Sequence, residues 1–258
     1  MWIIAQIFAA SLGAGILGAI MGIGGGIFLV PLLHLFFHLP MRIAVGTSLM
    51  AVIATSAGVS AFAPRGRGAD IGLALKLEMF TAAGAILGGW SAGFFSGNTL
   101  SILFSVIVFF TAGYMLFKAF GASGKSAGQS LFLPDYTPRH WKSGIAGSAF
   151  AGMVSGLLGV GGGFIKVPIM YAVMDVPLGV ATATSNFMVG ITAAASVFVY
   201  FGRGDIYPVL VIPTALGVFI GAMFGAFVLS RLRISWLRNA LIILLVVIGI
   251  QMLIKGIG

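Results

Sequence analysis

Gly22-Ile23-Gly24-Gly25-Gly26-Ile27-Phe28-Leu29-Val30-Pro31 returns later in the chain as Gly159-Val160-Gly161-Gly162-Gly163-Phe164-Ile165-Lys166-Val167-Pro168. Each stretch sits in strongly apolar surroundings. Three consecutive glycines there weaken a helix by about 1 kcal/mol apiece. A chain that interrupts its helix twice at matching places, in an oily setting, uses the bare backbone for something.

Working outward, the two stretches belong to a longer internal repeat. At an offset of 137 positions, Pro31 meets Pro168, Pro40 meets Pro177, and Thr47-Ser48 meets Thr184-Ser185. With small gaps, Arg67-Gly68-Ala69-Asp70-Ile71 matches Arg203-Gly204-Asp205-Ile206, and Thr81, Gly84 and Gly88 match Thr214, Gly217 and Gly221. The halves close alike, on Met115-Leu116-Phe117-Lys118 and Met252-Leu253-Ile254-Lys255. The pattern reads as a duplication. It divides the chain into a first transmembrane repeat (1–120), a linker rich in Gly, Ser, Lys and Pro (121–140) and a second repeat (141–258).

Composition sets the class. The chain has 258 residues, of which 60% are hydrophobic and 7% charged, with a mean hydropathy of +1.15. Soluble domains carry roughly 25% charge, so this chain has too little polar surface for water. Apolar runs near the ~20 residues that cross a bilayer recur throughout. The expected fold is an all-α polytopic membrane protein. The net charge of +9 lies in loops between apolar runs, which suits helix orientation rather than nucleic acid. The absence of cysteine excludes disulfides, thiol catalysis and cysteine metal sites. His34 and His38 stand four apart, but without a neighbouring carboxylate they form no ligand set. The first twenty residues lack a basic leader and belong to the repeat, so they read as a retained span and not a signal peptide.

Each half is expected to hold one span (2–21; 142–158), the glycine break, a short apolar segment (27–38; 164–174) and three longer spans (41–63, 72–95, 99–120; 178–201, 206–229, 235–256). The short segments, at ~18 Å, cannot cross alone. Parity then decides symmetry. The basic loop of the first half, with Arg65, Arg67 and Lys76, corresponds to a weakly charged loop in the second. There the next loop carries Arg231, Arg233 and Arg238. Opposed bias predicts inverted repeats related by a pseudo-twofold axis, with a cytoplasmic linker and both termini on the far side.

Irregular backbone inside a bilayer is tolerated only where protein or a watery cavity surrounds it. Matched breaks in two halves point to a substrate site. The segments after Gly26 and Gly163 each begin a helix whose N–H groups and dipole favour an anion; close helix packing is the plainer use of such glycines. Gly24, Gly25, Gly26, Gly161, Gly162 and Gly163 are therefore candidate binding residues. Thr47, Ser48, Thr184, Ser185 and Asn186 could ligate an oxyanion, or cap and bridge helices. Lys166, opposite apolar Leu29 in the repeat, could complement the anion or snorkel, and its replacement is expected to stop transport without harming the fold. Glu78 reads as interfacial and is the best-placed carboxylate for proton coupling. Asp70 and Asp205 are expected to pair locally with Arg67 and Arg203. Trp2, Trp141 and Trp236 fit an interfacial belt, and His34 and Tyr171 occupy equivalent repeat positions where packing is expected. The stretch fails as a dinucleotide motif, since the third glycine would fall at Ile27. No metal and no cofactor are expected.

Gly22-x-Gly24-Gly25-Gly26 through Pro31, then Gly46-Thr47-Ser48, resembles the TauE/SafE sulfite exporter family. So does Gly159-x-Gly161-Gly162-Gly163 through Pro168, then Ala183-Thr184-Ser185-Asn186. The likeness covers nearly the whole chain, though Ala183 for Gly46 and Lys166 for Leu29 make the halves chemically unequal. It implies secondary transport, mostly export, of sulfite, sulfoacetate or related anions across the cytoplasmic (inner) membrane. A passive anion channel of the same architecture is the alternative. An enzyme is disfavoured because no paired carboxylates or nucleophile–base set appears in the spans, and an accessory subunit leaves the two breaks unexplained. The expected partners are a small anionic substrate and the lipid bilayer, with no nucleic acid; a homodimer is left open.

Overall fold

The computed structural model describes residues 2–21, 24–62, 69–121, 136–228 and 234–258. Those residues form ten α-helices and no strand. In order they are α1 (Trp2–Met21), α2 (Gly26–Pro31), α3 (Met41–Phe62), α4 (Ile71–Ser91), α5 (Gly97–Gly121), α6 (Trp141–Leu158), α7 (Gly163–Pro168), α8 (Leu178–Gly202), α9 (Pro208–Val228) and α10 (Ile234–Ile257). Five of them contain described stretches long and apolar enough to cross a membrane: Trp2–Ala19, Met41–Val59, Ile71–Phe94, Gly179–Gly202 and Pro208–Gly225. Arg65, Arg67, Arg231 and Arg233, on which much of the orientation argument rests, lie outside the described residues, as does most of the expected linker. So do the side chains of Lys118, Trp236 and Arg238.

The short segments owe their shape to glycine in front and proline behind. Gly25 and Gly162 adopt φ of 68° and 71° directly before α2 and α7, a left-handed conformation that costs a residue with a Cβ about 1 kcal/mol or more. Pro31 and Pro168 have no N–H to close the next helical bond. The helix widens at that point into single π turns, Leu32–Phe36 and Ile169–Val173. Both segments then end alike, on His38 and Asp175 with φ of 54° and 56°. Leu39 N–H donates to Leu33 O, and Val176 N–H to Met170 O.

Helix directions follow from which residues meet. Along α4 and α6, Gly84 faces Ala149 and Gly88 faces Met153, so these two run parallel. Along α4 and α8, Asp70 meets Thr184, Glu78 meets Thr192, and Gly89 meets Arg203, which is again parallel. Across α3 and α8, Gly46 nears Tyr200 while Gly190 nears Ser56, so that pair is antiparallel. Gly249 against Phe109 and Gly256 against Ile102 oppose α10 to α5. Gly217 against Phe8 and Gly225 against Ile16 align α9 with α1. Helices α6 and α8 thus run the same way, with only the α7 segment between them, so that segment carries the chain back. The α2 segment does the same between α1 and α3.

The core lies where α2, α3, α5, α7 and α8 meet. It is filled by Ile27, Leu29, Leu33, Leu49, Val52, Phe104, Phe164 and Val189. Polar ends are tied locally. The Asp70 carboxylate caps α4 by accepting from Leu73 N–H at 2.8 Å, and it also receives the Tyr136 hydroxyl at 2.5 Å. Arg203 pairs with Asp205 at 3.0 Å, as expected; Arg67, the expected partner of Asp70, lies outside the described residues.

Candidate functional site

The two glycine runs meet inside the bundle. A Cβ built on Gly26 would stand 2.4 Å from Gly159 O and 3.0 Å from Val160 Cα, so the backbones touch there and only glycine fits. Ser48, on α3, clasps the junction by donating to Gly159 O at 2.9 Å. Gly24 wedges against Val189 of α8 and faces Val52 of α3, residues that correspond under the 137-residue offset. All described members of both runs are buried.

The predicted site residues divide. Gly24, Gly25, Gly26, Gly161, Gly162, Gly163 and Ser48 belong to this interior region, although the Gly26 N–H is already engaged by Gly24 O at 2.7 Å. Thr184 does not gather there. Its hydroxyl accepts from Asp70 N–H at the start of α4, and the Asn186 carbonyl accepts from Ser56. Thr47 and Ser185 are fully buried, and their hydroxyls have no partner among the described residues. Ser185 corresponds to Ser48, whereas Gly22, which corresponds to Gly159, lies outside the described residues.

Ser155 was not singled out from sequence. It is completely buried on α6, its hydroxyl unpartnered among the described residues, and its Cβ packs 3.3 Å from where a Gly162 side chain would begin. A buried hydroxyl without a partner loses its hydration with no return, so this donor beside the N-terminus of α7 is available to a ligand. Its repeat counterpart is Gly18, where a Cβ would meet Gly25 Cα at 2.3 Å. One copy closes backbone on backbone. The other leaves a hydroxyl.

Lys166 and Glu78 correct the expectations for both. Glu78 is not interfacial: it is 3% exposed, on the face of α4 turned to α7 and α8. Lys166 does not snorkel: it is 1% exposed, with Nζ 3.4 Å from Glu78 Oε2 and 2.5 Å from Thr192 Oγ1. Thr192, missed in the sequence, stands 2.5 Å from Glu78 Oε1 and completes the cluster. Replacing Lys166 alone strands a buried carboxylate, so it cannot be expected to leave the fold unharmed.

Of the other residues singled out in the sequence, His34 binds Leu39 O through Nδ1 and lies 3.3 Å from Ser101 through Nε2, while Tyr171 is exposed. Trp2 is exposed at a helix start, and Lys76 lies 5.3 Å over the Trp141 ring. Outside the spans, burial and the adjoining Asp70 carboxylate push the Tyr136 phenol above its usual range.

Residues 7–252 match the family described as sulfite exporter TauE/SafE. The chain is 26% identical over 259 residues to "Probable membrane transporter protein YunE" of Bacillus subtilis, covering 95% of each chain. It is 26% identical over 240 residues to YdhB, named in the same way, from the same organism, covering 93% of this chain and 96% of the relative. A "Probable membrane transporter protein" of Haemophilus influenzae is 27% identical over 266 residues, covering 94% and 95%. No solved structure matches. A buried, charged and glycine-broken interior in an apolar helical bundle agrees with those matches, and the chain belongs to the TauE/SafE family of membrane transporters.

Proposed function

We propose that the protein is a secondary transporter, working chiefly as an exporter, of a small sulfur-containing oxyanion or organosulfonate such as sulfite or sulfoacetate, and that it resides in the cytoplasmic membrane. The observation that carries this reading is the meeting of the two glycine runs in the bundle interior. There the chain forgoes helical hydrogen bonds beside the Ser155 hydroxyl, which has no partner among the described residues. Helix N-termini facing one another favour negative charge, and hydroxyl donors complete the coordination of an oxyanion. Gly24, Gly25, Gly161, Gly162, Gly163, Ser155 and Lys166 are its proposed ligands. Ser48 holds the two runs together.

The fold reading that goes with it is two inverted repeats around a pseudo-twofold axis. Each second-half helix runs opposite to its first-half counterpart where the two pack, as α8 does to α3 and α10 to α5. The pairing of α1 with α9 is mirrored by that of α6 with α4. Alternating access then amounts to one set of elements rocking against the other around a fixed site.

The test is a thermal-shift panel on purified protein with sulfite, thiosulfate, sulfoacetate, taurine, sulfate and phosphate, followed by flux in vesicles. Sulfur oxyanions or sulfonates are expected to stabilise the protein and to show saturable counterflow. Ser155→Ala is expected to weaken that binding on the order of tenfold, the value of one hydrogen bond to a charged ligand. Preference for phosphate overturns the substrate class. A steady voltage-driven current without saturation assigns the chain to the channel alternative instead.

A further inference from the structure

The repeat supplies an internal control for the buried cluster. Under the two alignments, Lys166 corresponds to Leu29, Glu78 to Val211 and Thr192 to Thr55. Leu29, Val211 and Thr55 are buried as well. The architecture therefore tolerates apolar residues at both positions, and Leu29 and Val211 occupy them in one copy. In the other copy both positions carry charge, with Lys166 and Glu78 88 residues apart on different helices. Buried ion pairs rarely out-stabilise well-packed apolar residues, and intramembrane charges mark function. Packing alone does not account for this pair.

Thr192 shows what the pair can do. Its hydroxyl has one proton but two acceptors within reach: Glu78 Oε1 at 2.5 Å and Met188 O at 2.9 Å. Thr55 has only the second kind, donating to Ala51 O at 3.0 Å. With Glu78 ionised, Thr192 donates to the carboxylate. With Glu78 protonated, the carboxyl O–H can donate to Thr192 Oγ1, and Thr192 turns to Met188 O, the arrangement that Thr55 has with Ala51 O. The 3.4 Å contact between Lys166 and Glu78 is long for a charge-assisted hydrogen bond, and the ammonium is held more closely by Thr192 Oγ1, at 2.5 Å.

We propose that Glu78, Lys166 and Thr192 couple the transported anion to one proton carried with it. The arriving anion takes the Lys166 ammonium from Glu78, and the released carboxylate takes one proton from water at the open side to become a neutral acid. Thr192 changes acceptor in the same event. The inference rests on the proposed anion site, since Lys166 N–H closes the first turn of α7 on Gly162 O. Charge balances at every stage: ammonium with carboxylate before, ammonium with anion and neutral acid after. No net charge is buried at either stage, which is what a low-dielectric interior demands. Proton and monovalent anion therefore move together in the same direction. Such a symporter exports whenever the internal excess of anion exceeds about tenfold per pH unit of opposing gradient.

Other titratable groups near these elements are occupied elsewhere. On α4, Lys76 stacks on Trp141, and the capping Asp70 receives Tyr136. On α8, Tyr200 donates to Gly156 O, and Arg203 pairs with Asp205. Lys142 stands in the first turn of α6, and Tyr171 is exposed on the π turn after α7. Arg42, at the start of α3, is held by Gly93 O and Phe95 O.

The test uses full-length protein with methanesulfonate, a permanently ionised monovalent probe, beside the panel anions. In the wild type, methanesulfonate binding is expected to tighten by up to about tenfold for each unit the pH falls. Its entry into vesicles is expected to acidify the lumen by one proton per anion. Glu78→Gln, fixed in the neutral form, is expected to bind without pH dependence and to move no protons. Thr192→Val is expected to slow anion-dependent proton movement, and Thr192→Ser to restore it. Glu78→Gln with Lys166→Met, neutral at both positions, is expected to fold and to lose anion binding. Entry without acidification in the wild type, or pH-dependent binding by Glu78→Gln, overturns the coupling. Should Glu78→Gln not fold, the wild-type proton count decides alone. Wild-type protein that neither binds nor moves any of these anions overturns the anion site itself, and the coupling with it.

Discussion

An ammonium closed off from both water and lipid survives only beside a negative group. Lys166 finds one in Glu78, with the Thr192 hydroxyl spanning the two. Removing a single partner leaves the other charge buried and bare. Lys166→Met is therefore expected to destabilise the protein by about 3–5 kcal/mol, and addition of Glu78→Gln to recover most of it. Thermal unfolding in detergent measures both; equal melting of the single and double variants would deny that the two charges depend on each other. Lys166 was legible in the sequence as an anomaly, a charge where the first half has Leu29. Glu78 was not, because two residues from Lys76 it looked like part of an interfacial turn. The missed signal was symmetry: Glu78 replaces Val211 just as Lys166 replaces Leu29. Two apolar-to-charged differences of opposite sign, one in each half, belong together when the halves interlock. The Ser155 hydroxyl, without a partner among the described residues, had no such trace, since serine facing Gly162 and serine facing another helix read alike in a sequence.

At the scale of elements, the helix pairs are drawn together by glycines four residues apart along each helix. Built Cβ atoms on Gly84, Gly88, Gly152 and Gly156 would stand 2.1, 2.0, 2.0 and 2.0 Å from carbonyl oxygens across the α4–α6 interface. Gly217 and Gly221 do the same on α9 against α1, at 2.5 and 2.2 Å. Without a hydrophobic driving force between helices in lipid, such close backbone approach supplies much of the attraction. Gly152→Ala is expected to force α4 from α6 and to cost about 1–3 kcal/mol. Gly113→Ala, where nothing lies within 4 Å, is expected to be neutral or to add about 0.5–1 kcal/mol. Comparing the two melting temperatures checks the point, and a matched loss at both positions would make the effect one of helix propensity and not of contact. Helix positions were readable because apolar run length and Gly/Pro punctuation are local properties. The closeness of α4 to α6 was not, although the Gly84–Gly88 and Gly217–Gly221 correspondence was visible. Spacing in one helix does not say which partner it meets.

At the scale of the whole molecule, orientation depends on which basic residues are free to respond to the membrane. By the expected span order, Lys76, Arg139 and Lys142 fall on the linker side, and Arg42, Arg203 and Lys255 on the other. The structure separates these groups by what they hold. Arg42 donates to Gly93 O and Phe95 O, Arg203 to Gly89 O, and Lys255 to His34 O. All three bind carbonyls near helix ends, where such charges complement the negative end of the dipole. Those cations have structural work on the terminus side, so they subtract nothing from the bias that sets topology. The linker is accordingly expected in the cytoplasm and both termini outside. The chain has no cysteine, so single introduced thiols report cleanly. Ser126→Cys is expected to react with an impermeant maleimide only after the cells are opened, and Gly258→Cys to react in intact cells. The reverse pattern would invert the molecule while keeping the inverted repeats. Labelling of both from one side would remove the opposed orientation of the halves, and with it the facing helix ends on which the anion site depends.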